Sequence, residues 1–265
     1  MSGSRRHAPW LFLLATLAWT WAFWIAAAFF RASEVGGVQE GLDGLTLLFF
    51  ALGGFGPAIM ASAFVLGGRA DETLPAFWRR ALDPRRLRPN GWLAALLLAI
   101  LPPAVVWLGA WGVGREVAVG SAGFFLVGAL AGLAEEPGWR GYLQEGLQRR
   151  MPVAAAALVV GAFWAAWHLP LFWIAGTWQH GQGVGTPAFW TFHVGVVILG
   201  LIYAWLYNFA GRVTLAAIVL HAAGNVASEV FTVDGAEHIE IGVYAAVAAL
   251  LVAAGWGWMR RPATR

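Results

Sequence analysis

The sequence contains no cysteine and no lysine, and few charges of any kind: 12% of its 265 residues are charged against 60% hydrophobic. Without cysteine there is no disulfide, no thiolate metal ligand and no cysteine nucleophile. All seventeen basic residues are arginine. Soluble domains run near 25% charged, so a soluble globular fold is excluded, and intrinsic disorder, which needs the opposite composition, falls with it. The net charge of +3 and a pI near 9.9 would suggest nucleic acid in a soluble protein. In this composition they point to basic residues flanking membrane spans, with no nucleic-acid partner.

What the chain has instead is long apolar runs. Eight can be marked, at about Ala8–Phe30, Leu45–Gly67, Gly91–Val113, Val119–Leu147, Pro152–Ala175, Pro187–Ala210, Val213–Val230 and Ile239–Met259. Each approaches the length needed to cross a hydrocarbon core about 30 Å thick. The first is too long for a signal-peptide core and lacks a cleavage site of the A-x-A kind. Arginine tests the parse independently, because the runs were drawn on hydropathy alone. Alternate loops and tails hold fourteen arginines, and the others hold two. That asymmetry predicts both termini in the cytoplasm and an even number of spans. The expected fold is therefore an all-α polytopic helix bundle of about eight transmembrane helices. Residues 1–265 form a single membrane domain, and the lipid bilayer is its principal surroundings. The longest loop, about Gly68–Asn90, is expected to lie along anionic headgroups. Trp10, Trp92, Trp178, Trp190, Trp256 and Trp258 sit near run ends and read as interfacial anchors.

With Glu145 and Glu240, at the run ends, assigned to the adjoining loops, four formal charges remain inside the runs: Glu135, Glu136, Arg140 and Glu229. A charge in hydrocarbon costs several kcal/mol, so such residues are functional candidates by default. Three of the four lie in Glu135-Glu136-Pro137-Gly138-Trp139-Arg140. Glu136 and Arg140 are four apart and can pair on one helix face. Glu135 points about 100° away and lacks a local cation, so it needs a donor from another helix. Pro137 removes a backbone hydrogen bond, and Gly138 is expected to loosen the turn. The fifth run supplies His168. The seventh supplies His221 and Asn225, four apart on one face, with Gly224 between them allowing a close helix approach. At 1.5 Å per residue, Glu135 lies about 18–20 Å from the predicted cytoplasmic end of its run, His168 about 24 Å, His221 about 12 Å and Asn225 about 18 Å. One site built from three helices is compatible with those depths. Glu229 and His193 lie near the outer ends of their runs and read as an interfacial carboxylate and a packing residue.

Other intramembrane chemistries lack their residues. The four aspartates, Asp43, Asp71, Asp83 and Asp234, are all in loops, which excludes an aspartyl site. No serine sits in a Gly-x-Ser-Gly-like elbow, and no H-E-x-x-H zinc motif is present.

The ordered set resembles the CPBP family of intramembrane proteases, the CAAX proteases and bacteriocin-processing enzymes also called Abi. Its pattern is Glu-Glu-x-x-x-Arg, then Phe-x-x-x-His, then His-x-x-x-Asn or Asp on successive helices. Glu135, Glu136 and Arg140 match the first motif, His168 the histidine of the second, and His221 and Asn225 the third. The match spans about 123–230, which the resemblance makes the catalytic region. Trp164 stands where the family has Phe, and Phe163 is one residue out of register. The resemblance implies an endopeptidase acting on a membrane-associated peptide or protein, in a bacterial plasma membrane. Glu135 would activate water with help from His168, His221 and Asn225 would stabilise the oxyanion, and Glu136 and Arg140 would support the site. No cofactor is required on this reading, although Glu135, His168 and His221 could together bind a divalent metal such as zinc. The alternatives are a non-proteolytic, immunity-type member of the family and a proton-coupled transporter.

Overall fold

The computed structural model describes residues 7–34, 44–114, 118–119, 123–232 and 237–263. Several charges used in the topology argument (Arg5, Arg6, Glu40, Asp43, Arg115, Glu116, Asp234 and Arg265) lie outside the described residues, as does the side chain of Glu229.

Each apolar run folds as helix. In chain order the elements are α1 (Pro9–Glu34), α2 (Gly44–Gly54), α3 (Gly56–Leu66), α4 (Leu74–Leu82) and α5 (Pro89–Gly112), followed by β1 (Ala118–Val119) and α6 (Gly123–Glu136). A π-helical segment, Pro137–Gln144, continues α6 into a short α7 (Glu145–Leu147). Then come α8 (Val153–Trp167), α9 (Trp178–Gln182), α10 (Pro187–Phe209), α11 (Thr214–Val230), β2 (Phe231–Thr232) and α12 (Glu237–Met259). The two-residue strands pair antiparallel, Ala118 opposite Thr232.

Among the described residues, five helical stretches are long and apolar enough to cross a membrane: Pro9–Arg31, Pro89–Gly112, Val153–Trp173, Pro187–Phe209 and His238–Met259. The second run splits into α2 and α3, which meet at 51° and make a sixth span if they cross as one. The fourth run is interrupted by its charges and its π segment, and α11 has only 17 residues. The protein is thus an all-α polytopic membrane bundle. Its outer surface is apolar, with Leu14, Phe29, Leu66, Trp111 and Leu250 all exposed, as a lipid-facing surface requires.

Inside, small residues let backbones touch. α8 and α10 meet at Gly161 and Gly200, where a Cβ on Gly200 would lie 2.9 Å from the Gly161 Cα. α6 and α11 meet at Gly132, where a Cβ would lie 2.6 Å from the Ile218 carbonyl oxygen. The sequence assigned this role to Gly224, whose added Cβ would meet nothing within 4 Å. The close approach is real but sits on the other helix of the pair.

Beside the α2–α3 break, α1 supplies side-chain donors to carbonyls of α2. Trp19 Nε1 donates to the Leu52 carbonyl, Thr20 Oγ1 to Gly53 and Trp24 Nε1 to Phe50, each at 2.9 Å. Irregular backbone in a membrane protein needs such internal partners.

Candidate active site

The site forms where α6 passes into the π segment and meets α8, α10 and α11. Proline at 137 cannot donate its backbone hydrogen bond, and the eight residues from Pro137 to Gln144 take the wider π turn. Gly138 has a packing role there. A Cβ at that position would lie 2.5 Å from the Pro57 backbone of α3, so glycine lets the two helices touch. The turn at Pro137-Gly138 is indeed widened, and Gly138 adds this contact to it.

The π segment is also held from the arginine-rich face. Arg80 of α4 donates to the Gly141 carbonyl at 3.1 Å and pairs with Glu72. Tyr142 donates its hydroxyl to the Arg69 carbonyl at 2.6 Å. Phe77 of α4 is buried and packs at Gly141. The Gly68–Asn90 loop therefore turns inward and braces the π segment. Its outer side still presents Arg79, Arg85, Arg86 and Arg88 to solvent.

Glu136 is fully buried, and its Oε1 serves two partners. Arg140 Nη1 lies 2.9 Å away and His221 Nδ1 2.7 Å away. A carboxylate oxygen only accepts, so this contact requires a proton on His221 Nδ1. The Arg140 guanidinium lies between two aromatic faces, 4.6 Å from the Trp164 ring and 4.3 Å from the Tyr203 ring. Stacking of this kind offsets part of the cost of burying a cation.

Glu135 takes a different set of partners. Its Oε2 accepts from Trp164 Nε1 at 2.7 Å and from Trp139 Nε1 at 3.2 Å. Its Oε1 lies 3.7 Å from His221 Nε2. The donor that Glu135 needs from another helix is thus the indole of Trp164, the residue that departs from the family pattern. Trp139, four residues along from Glu135, supplies the second. The sequence reading passed over Trp139 and Tyr203, although the i, i+4 spacing of Glu135 and Trp139 was visible.

His168 is half-buried at the end of α8. Its Nδ1 lies 2.7 Å from the Trp164 carbonyl oxygen. The carbonyl can only accept, so Nδ1 carries the proton and Nε2 keeps its lone pair. The ring packs edge-on to Trp167 and Phe192. Asn225 is half-buried, one turn beyond His221 on α11. His193 repeats the pattern of His168: its Nδ1 meets the Phe189 carbonyl at 2.7 Å, and Phe172 and Phe189 flank its ring.

Glu135, Glu136, Arg140 and His221 therefore form one buried cluster, and Trp164 ties His168 to it. Among the described residues, no group of three His, Asp or Glu side chains is arranged to hold a metal ion. Glu135, His168 and His221 do not form such a set in this structure.

Residues 118–227 match the family described as type II CAAX prenyl endopeptidase Rce1-like. The segment contains every motif residue named above. The chain is also 25% identical over 271 residues to the CAAX prenyl protease 2 of Methanococcus maripaludis, covering 95% of this chain and 96% of that protein.

Proposed function

We propose that the chain is a member of the CPBP family of intramembrane endopeptidases, the family to which its similarities point, and that Glu135 is the base of a peptide hydrolysis carried out inside the helix bundle. Oε1 of Glu135 takes a proton from water, and the resulting hydroxide attacks the scissile carbonyl carbon. His168 offers the lone pair on its Nε2 to help orient that water and to share the proton, which passes to the leaving amine. His221, whose Nδ1–H is held by Glu136, acts as an imidazolium and donates its Nε2–H to the developing oxyanion, and Asn225 adds its amide N–H. Glu136 and Arg140 support this arrangement, since one carboxylate oxygen bridges the arginine and the histidine.

The observation that carries the reading is the asymmetry of the Glu135 carboxylate. It is buried, with one oxygen held by indoles and the other turned towards His221. The mechanism uses no metal. The substrate is a membrane-associated peptide or protein, cut near its end. The names of the relatives suggest a prenylated C-terminal peptide as the first probe. The setting is a prokaryotic plasma membrane, with eight spans and both termini inside.

Glu135→Gln is expected to abolish cleavage of such a reporter in liposomes while leaving the protein folded. His168→Ala should reduce cleavage strongly. Full cleavage by both variants overturns the mechanism, and proton-coupled uptake without cleavage favours a transporter. Proteomics with the Glu135→Gln variant as a substrate trap identifies the physiological substrate.

A further inference from the structure

Trp164 makes three contacts to the candidate site at once. Its Nε1 donates to Glu135 at 2.7 Å, its ring faces Arg140 at 4.6 Å, and its carbonyl oxygen meets His168 Nδ1 at 2.7 Å. Trp139 adds a second indole donor to the same Glu135 oxygen. Both tryptophans are buried. Indole N–H only donates, so neither can take a proton from Glu135 or exchange roles with it. Packing alone would be met by phenylalanine, the residue the family motif has at position 164. The nitrogen is therefore the part of Trp164 that needs explaining.

We propose that Trp164 and Trp139 are positioning residues that clamp Oε2 of Glu135 and leave Oε1 as the oxygen that receives the proton of water. This rests on the reading of Glu135 as the base. Two donors from different helices fix the carboxyl plane, because a carboxylate bound at one oxygen from two directions cannot turn about its last torsion without losing a bond. Preorganisation of this kind speeds the chemical step and leaves substrate binding alone. Charge-assisted hydrogen bonds are short and strong, and the 2.7 Å contact of Trp164 is the shorter of the two. Trp164 is therefore expected to contribute more than Trp139.

The test uses the full chain in liposomes with a quenched fluorescent peptide carrying a prenylated cysteine near its C-terminus. Trp164→Phe should lower kcat about tenfold with KM changed less than about twofold, and Trp139→Phe should lower it less. Replacing Trp164 with 3-benzothienylalanine keeps the ring's shape and removes only the N–H; it should reproduce the Trp164→Phe loss, and it serves if Trp164→Phe does not fold. A second readout needs no substrate. The infrared difference between wild type and Glu135→Gln isolates the Glu135 carboxyl bands, and these should shift in the benzothienyl variant. Unshifted bands overturn the clamp, as does a loss confined to KM. If Glu135→Gln is inactive while both position-164 variants keep wild-type kcat, the clamp is wrong and the base stands. If Glu135→Gln itself turns over at the wild-type rate, the base reading fails and the clamp falls with it.

Discussion

Single side chains in this protein hold several partners each, so their replacement costs more than one bond. Arg140 is the clearest case: it is fully buried, paired to Glu136 and held between two aromatic faces. Arg140→Met removes the charge and leaves Glu136 buried with His221 as its remaining ionisable partner. Breaking a buried pair by deleting one member typically costs about 3–5 kcal/mol. The loss should appear as a marked fall in unfolding midpoint in detergent, against a small change for the exposed Arg79→Met. Glu145, at the arginine-rich end of the same helix, gives a pH prediction. Burial alone would raise its carboxyl, but hydrogen bonds and charge from Arg212 and Arg149 hold it below the usual carboxylate range. Its folded value is depressed, so its contribution to stability is complete above the ordinary carboxylate value of about 4.3. That contribution is lost as pH falls through the lower folded value. Acid unfolding monitored by circular dichroism should therefore show a steeper loss of stability below about pH 4 in wild type than in Glu145→Gln. Equal slopes would mean that the ion pairs with Arg149 and Arg212 are too weak to register.

Between helices, the controlling residues are glycines whose importance depends on what faces them. Gly132→Ala should part α6 from α11, since its Cβ would lie 2.6 Å from a carbonyl oxygen. The same shift would stretch the 2.7 Å contact of His221 with Glu136. Cleavage should fall and stability drop by about 1–3 kcal/mol, the usual cost of overpacking. Gly138→Ala should do similar damage through Pro57, while Gly224→Ala should change the unfolding midpoint little. A thermal-shift series over the three variants checks the ranking. These contrasts show what the sequence makes legible. Hydropathy located the long helices, because apolar runs of that length have few other uses, but not α4 or α9, which lie in stretches read as loops. The charges Glu135, Glu136 and Arg140 inside the apolar runs pointed to the buried cluster that gathers around Glu136. Which glycine makes the close contact was not readable, because that depends on the rotation of two helices about their axes. The partner of Glu135 escaped for the same reason: Trp164 was visible as a departure from Phe, but its N–H acquires meaning only when α8 is set beside α6. The π turn escaped as well, since Pro-Gly in a helix signals a disturbance without specifying its form.

For the whole molecule, the natural absence of cysteine makes topology directly measurable. Single cysteines at Arg79 and Val184, both exposed, should react with a membrane-impermeant maleimide from opposite sides. In right-side-out vesicles, Val184→Cys should label at once and Arg79→Cys only after permeabilisation. Labelling of both from outside would overturn the proposed orientation. The same vesicles also test how α6 and α7 are linked through the π segment. An ordinary helix is a rigid screw, and turning one end turns the other. One extra residue in a turn advances everything beyond it by about 100°. The wide turn thus resets the phase of the screw: the carboxylates before it face α8 and α11, while Gln148 after it faces Asn208 and Glu145 faces Tyr207 and Arg212. Deleting one residue from the Gly141–Leu143 stretch would restore an even screw and force a choice. Either the bracing end keeps its partners and the carboxylates swing away, or the reverse, so such a deletion should cost cleavage even where the bundle still assembles.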